Sequence, residues 1–369
     1  ITDADENIAI GYDALGTNQV GSASVAVGAS ALRTQNPATA TNMHNTAIGH
    51  FAGYAVTTGG QNTFLGSQAG TGSTSGGNNT GIGYNSLAAN AETNFNTAVG
   101  HSTLAAATGG GRNVAIGNHA LDADTKGGRS VAIGYDALTA QNFTTVTTVY
   151  NVAVGYGAGS AVTTGSNSTL VGALSGDAFT TGARNTALGY ATLTSDTKGG
   201  YAVAIGYEAL QTQNFTTATN NYNIGIGYQA GASVTTGVEN VLIGGLAGDA
   251  LTDADFNVVV GTLALGTDTK GSQSTAIGYA ALSSQNFTTA TNSANTAVGF
   301  TAGQSITTGI RNTLIGSDAG DAITDADNNV AVGTDALGTN QLGSQNIAIG
   351  RLALGTMNPA TATNTYNTA

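Results

Sequence analysis

The sequence predicts an all-β chain, a β-solenoid of about 20 coils, and three observations predict it. A nine-residue motif, first met as Asn7-Ile8-Ala9-Ile10-Gly11-Tyr12-Asp13-Ala14-Leu15, recurs along the whole chain. Its central glycines run from Gly11, Gly28 and Gly49 to Gly333 and Gly350; fifteen of the intervals between these 20 glycines equal the step from Gly11 to Gly28, and four equal the longer step from Gly28 to Gly49. The composition is that of a chain punctuated by turns, with 55 glycines in 369 residues and only 8% charged residues. A fixed period of this length marks an architecture in which each repeat stacks on the next. A helical solenoid would need ten or more residues of apolar helical periodicity per helix, and the Gly/Thr/Asn-rich spacers do not supply them.

The strand comes first in each repeat. The residue before the glycine is Ile, Val or Leu in all 20 copies, and the one two before it is Ala in 13. Alternation places Ile8 and Ile10 on one face and Ala9 on the other. The bulkier face is expected to line the coil interior, together with the Leu four residues after the glycine. The Ala face is expected to meet the same face of neighbouring chains, because a continuous exposed apolar stripe is an association site. The glycine supplies a backbone conformation that side chains resist. The Ala-Leu or Ala-Gly pair after it is expected to begin a second short strand. Thr-Thr-Gly, Asp-Thr-Lys-Gly and Gly-Thr-Asn segments then form turns. At the interstrand spacing of about 4.8 Å, 20 coils predict a rod of roughly 95 Å.

Four residues before the glycine stands Asn in 15 copies. This column is read as a side-chain ladder or a cap on turn backbone. Three long coils, ending at Gly155, Gly227 and Gly299, are equally spaced, four coils apart, and carry the insertions Gln141-Asn142-Phe143, Gln213-Asn214-Phe215 and Gln285-Asn286-Phe287. Pro37 and Pro359, the only prolines, take the Phe position in two related copies. A site that accepts Pro donates no ladder hydrogen bond, so these segments are expected to be loops on one side of the array. Phe143, Phe215 and Phe287, with Pro37 and Pro359, are the candidate surface-contact residues. The alternative is that each Phe folds back over its own coil. Residues 323–369 closely restate 1–47, so residues 1–369 read as one continuous array cut from a longer chain.

The motif, as in Asn7-Ile8-Ala9-Ile10-Gly11, Asn45-Thr46-Ala47-Ile48-Gly49 and Asn295-Thr296-Ala297-Val298-Gly299, resembles the head repeats of YadA-like trimeric autotransporter adhesins. It is more similar still to the variants found in bacteriophage tail fibres. The resemblance covers essentially the whole chain. It implies a left-handed parallel β-roll and a homotrimer packed about an axis. It also implies an extracellular location, on a virion or a bacterial cell surface, and an adhesive or spacer role with a host-surface or glycan receptor. The 17- and 21-residue coils are longer than the typical adhesin head repeat, and no stalk, membrane anchor, receptor-binding tip or chaperone domain is visible.

The remaining composition argues against other classes. The net charge of −12 and the lack of a basic cluster do not suit nucleic acid. No cysteine is present, and no apolar run of about 18 residues spans a membrane. His44, His50, His101 and His119 have no zinc-like spacing and read as surface residues. Gly109-Gly110-Gly111 lacks the Lys-Ser/Thr of a phosphate loop, and no nucleophile elbow occurs. Asp122/Asp124 and the Asp-Ala-Asp runs at Asp3/Asp5, Asp253/Asp255 and Asp325/Asp327 offer turn carboxylates, but the closing Glu of a calcium loop is missing. No catalytic residue, metal site or cofactor is therefore expected. The expected function is a non-enzymatic structural and adhesive fibre segment. Alternatives are a polysaccharide-cleaving solenoid, which needs a carboxylate cluster in a groove, and an ice-binding solenoid, which needs a regular Thr array.

Overall fold

The computed structural model describes residues 4–369; residues 1–3, including Asp3 of the first Asp-Ala-Asp run, lie outside the described residues. The chain divides into two units, Ile1–Arg184 and Asn185–Ala369. Each is a parallel β-solenoid, and no described residue is helical. In the first unit, three-residue strands run from Ile8–Ile10 to Thr169–Val171, and successive strands within the unit pair in parallel. Ile8 faces Val25, Ala9 faces Ala26 and Ile10 faces Val27. In the second unit the strands run from Thr186–Leu188 to Ile347–Ile349 with the same register, as where Val330 faces Ile347. Backbone bonds tie coil to coil: Ile8 N–H donates to Ser24 O at 2.9 Å, and Gly28 N–H to Ile10 O at 2.7 Å.

The two faces of the strand are the reverse of the sequence expectation. Ala26, Ala47, Ala98 and Ala115 are fully buried, whereas Ile10, Ile48 and Ile116 are 60%, 39% and 37% exposed. The reason is the width of the coil. Its interior is filled largely by the Leu four residues past the glycine, such as Leu32, Leu87 and Leu104, all fully buried. Opposite that Leu the strand presents a small residue, Ala in most coils. The β-branched side chains, which suit a pleated surface, are left outside.

The expected second strand is a turn. Asp13 and Leu15 have φ of 58° and 52°, and the corresponding residues of other coils behave alike, as Leu87 and Leu121 with φ of 52° show. A left-handed leucine costs about 1–2 kcal/mol. Here that conformation aims the side chain into the interior, and the backbone stays paired, with Leu15 N–H donating to Ala31 O at 3.0 Å. The motif glycine has a separate cause. At Gly134, φ is 137°, and a Cβ would lie 2.3 Å from the carbonyl oxygen of Gly155 in the next coil. Only glycine lets the coils stack this closely.

The interior is built from two kinds of coil. Where Leu stands four after the glycine, the residue seven after it is usually polar and buried, as at Asn18, Gln35, Asp124 and Gln141. Where Gly stands there, the residue seven after is usually apolar and buried, as at Val56, Val162, Phe179 and Ile306. The Gly coils come in adjacent pairs, and each pair shares one bulky residue in the Ala column: Phe64, Leu170, Leu242 or Leu314. Phe64 lies between Gly53 and Gly70, and Leu314 between Gly303 and Gly320. One large side chain thus fills the space vacated by two leucines, and the interior stays close-packed.

The 21-residue coils add a second, two-stranded parallel sheet, such as Gly127–Gly128 with Thr147–Thr148 and Gly271–Ser272 with Thr291–Asn292. Pro37 and Pro359 lie outside every strand.

Candidate functional site

The outer sheet face of each unit carries an unbroken aliphatic column. In the first unit the column before the glycine reads Ile10, Val27, Ile48, Leu65, Ile82, Val99, Ile116, Ile133, Val154 and Val171, without a polar interruption. The parallel column, two residues earlier in each strand, is Ile8 followed by a mixture of Val and Thr, including Thr63, Thr80 and Thr97. Ten strands at about 4.8 Å extend this aliphatic stripe over roughly 43 Å. In the second unit Leu188, Val258, Ile277, Ile315 and Ile347 are 37–45% exposed on the same face. Motif residue Val298 also belongs to this column and is partly exposed.

Beside the stripe, the residue after the glycine is often aromatic, and rings on adjacent coils stack in short runs. Tyr135 stacks on Tyr156 with centroids 5.5 Å apart and planes 10° from parallel. Tyr190, Tyr207 and Tyr228 form a three-ring run at 5.3 and 5.6 Å, and Tyr279 stacks on Phe300 at 5.3 Å. His101 takes the same position, against Tyr84 at 5.3 Å. The rings stack along the direction of coil stacking, so their faces meet one another and their edges point outward.

The Asn column serves the backbone of the next coil. Asn45 Oδ1 accepts from Asn62 N–H at 2.9 Å, and its Nδ2 donates to Gly59 O at 2.8 Å. Asn7 and Asn295 make the same pair of bonds, to Ser24 N–H and Gly21 O, and to Asn312 N–H and Gly309 O. Most of the column is buried, as are Asn62, Asn79 and Asn113. An unmade bond in such a place is costly, so these residues hold the stack together.

At the long coils the Asn column meets a buried relay. Asn151 Nδ2 donates to Gln141 Oε1 at 2.9 Å, and Gln141 Nε2 donates to Asp124 Oδ2 at 2.5 Å. Asp124 Oδ1 accepts from Gly127 N–H at 2.8 Å. Asn223–Gln213–Asp196 and Asn295–Gln285–Asp268 repeat the arrangement. Burial pushes the Asp124 and Asp196 carboxyls above the usual carboxylate range, and their hydrogen bonds pull them only part of the way back.

Phe143, Phe215 and Phe287 are only 9%, 6% and 6% exposed; their rings lie against the coil and their N–H groups face Asp124, Asp196 and Asp268. Phe287 and Pro37 cover Gly271 and Gly21, and Pro359 lies against Gly343. The loop surface is carried by other residues, such as Val146, 75% exposed.

The Asp-rich turns are engaged by protein donors. Asp255 and Asp327 each accept a backbone N–H of the previous coil at 2.8 Å, and Asp122 pairs with His119 at 3.0 Å. Among the described residues no three His, Asp or Glu side chains are grouped to hold a metal ion. No described helix is long and apolar enough to cross a membrane.

No protein-family model matches the chain, and no curated protein matches it. The outer aliphatic face is the feature that sequence reasoning misplaced. The signal was present: Thr recurs in the same column as Val25 and Val131, which suits a solvent face better than an interior.

Proposed function

We propose that this chain is a structural segment of an extracellular fibre, a non-enzymatic shaft in which three copies pack through their outer aliphatic faces. The observation that carries the reading is that the coil fills its interior without the Ile, Val or Leu that precedes each motif glycine. They stand outside as a stripe longer than solvated monomers ordinarily expose. Covering that stripe on three chains at once gives each coil a second hydrophobic core, shared between chains. The buried Asn ladder, together with short runs of stacked rings, stiffens each chain along the stacking direction, as a spacer requires. The resemblance to adhesin head repeats and phage tail fibres supports the same reading and adds a left-handed roll, a virion or bacterial surface location and a distant receptor-binding tip. Repeated features along the shaft add weak multivalent contacts to a host surface.

The test is mass in solution by light scattering. A particle of about three times the 36.2 kDa chain mass is expected. A particle of 36.2 kDa at micromolar concentration overturns the association, and with it the shaft.

A further inference from the structure

A cleft of about 360 Å³ opens in the second unit, lined by Asp249, Leu263, Gly266, Tyr279, Ser283 and Gln304 among others. Its origin lies in the position five residues after the motif glycine. In the first unit this position holds Asp122, and the next coil holds Thr139, whose hydroxyl donates to Asp122 Oδ1 at 2.8 Å. In the second unit the same two positions hold Asp249 and Gly266. Gly266 has no hydroxyl to give. Asp249 Oδ1 is shut off from solvent and has no hydrogen-bond partner. A side chain at Gly266 would begin 3.4 Å from that oxygen.

A carboxylate oxygen without a donor is unfavourable wherever water is kept from it. Burial accordingly pushes the Asp249 carboxyl above its usual range. Because Oδ1 is closed to solvent here, a ligand hydroxyl meets the carboxylate only once the side chain turns about its terminal torsion, which is soft for Asp. The other walls define the ligand that would meet it. Tyr279, its ring covered on one side by Phe300, and Leu263 are apolar walls. Ser283, Ser284 and Gln304 are neutral hydrogen-bonding groups. No cationic residue lines the cleft, and Asp249 is its single carboxylate.

We propose that this cleft binds a neutral hexose unit, one of whose hydroxyls donates to Asp249 in the place that the Thr139 hydroxyl takes on Asp122, with the sugar ring against Tyr279. An O–H donor on a carboxylate makes a short, charge-assisted bond. Apolar walls with a few fixed polar groups are the general make-up of small-molecule sites. A single carboxylate suits binding rather than cleavage, since glycoside hydrolysis ordinarily uses a pair. The cleft is made within one chain and does not rest on the trimer. Asp321 and Gly338 repeat the donorless pair four coils on, but Arg351 stands there where the first site has Tyr279.

The experiment is saturation-transfer NMR on the full chain with methyl glucoside, methyl galactoside and methyl mannoside at millimolar concentration. Transfer to at least one is expected. Gly266→Thr rebuilds the Thr139 arrangement; it is expected to keep the β spectrum, raise the melting temperature and weaken binding at least tenfold. Gly338→Thr is expected to raise the melting temperature and leave binding unchanged. No transfer to any of the three sugars overturns the proposal. So does binding that G266T leaves intact in a folded protein, because the sugar then sits elsewhere and the cleft holds water only.

Discussion

Gln141 donates its side-chain amide to the carboxylate of Asp124 at 2.5 Å, in the interior of the coil stack. The same amide lies 3.3 Å from the Ser130 hydroxyl. In the related coil Asn18 replaces Asp124; it bonds both the N–H and the carbonyl of Gly21, while Gln35 turns its amide to Ser24 at 3.2 Å. The chain thus shows both a charged and a neutral solution to one buried position.

The charged solution makes stability depend on pH. The folded carboxyl of Asp124 is raised above its unfolded range by burial. Its contribution is therefore complete below the unfolded value and is lost as pH rises through the folded one. Circular-dichroism melts are expected to show stability falling between acid and neutral pH, with a shallower fall in Asp124→Asn. A slope identical in D124N and the parent rejects this account.

Asp196→Asn is expected to fare worse than D124N. The position equivalent to Ser130 is Ala202, which offers no hydroxyl. Gln213, now bonded to Asp196 at 2.6 Å, would lose its acceptor. The difference between the two variants should be about 1–3 kcal/mol in urea unfolding, the cost of one buried unmade bond. Equal stabilities would contradict it.

Asn79→Ala removes an acceptor from Asn96 N–H, at 3.0 Å, and a donor from Thr93 O, at 2.8 Å, both buried. A loss of about 2–4 kcal/mol is expected from the two orphaned groups. Asn79→Ser should lose less, because Ser holds this position at Ser24, Ser130 and Ser274. Amide hydrogen exchange at Asn96 reads the effect locally, and unchanged protection in N79A would remove the ladder role.

Phe64 and Gly70 should couple. A Cβ at Gly70 would lie 2.3 Å from the Phe64 ring, and Gly70 already has φ of 60°, close to the 52° of Leu87 at the same position. Phe64→Ala is expected to cost about 3–5 kcal/mol through a cavity. Gly70→Leu alone should also destabilise, by overpacking. The double variant recreates a Leu coil facing Ala and should recover more than about 1 kcal/mol in a double-mutant cycle. Additive losses would show that the two residues do not share one space.

The outer and inner faces are separable by charge. Ile116→Lys with Ile133→Lys is expected to leave the β spectrum unchanged and reduce the particle to single-chain mass. Ala115→Lys, on the buried face, is expected to unfold the surrounding coils. If I116K/I133K keeps the trimeric mass, the association uses another surface.

The period, the strand and the motif glycine were all legible in the sequence, because backbone stacking imposes them on every coil. The inward face was not. A strand such as Val25–Val27 has two alternating faces, and side-chain bulk alone points to the wrong one. What settles it is size exchange between distant columns: Phe64, Leu170, Leu242 and Leu314 replace Ala only where Gly replaces Leu, so those two columns share the interior. The turn after the glycine was hidden for a related reason. Leucine at a positive φ violates local preference and is held there by packing, although its exchange with Gly53 or Gly159 marks the conformation. The cleft at Asp249 rests on what Gly266 lacks, and becomes visible only when coils are compared across the stack.

The pairing of Gly coils around one bulky residue bears on how such a gene changes length. Slippage that deletes a single short repeat can leave Leu242 beside one glycine coil and a leucine coil, with too much volume on one side and a void on the other. Recombination that excises a whole four-coil block, such as 245–316, rejoins a glycine coil to the coils that ordinarily follow it. The coding sequence is therefore expected to grow and shrink in blocks of four coils, with variants of intermediate length removed by misfolding.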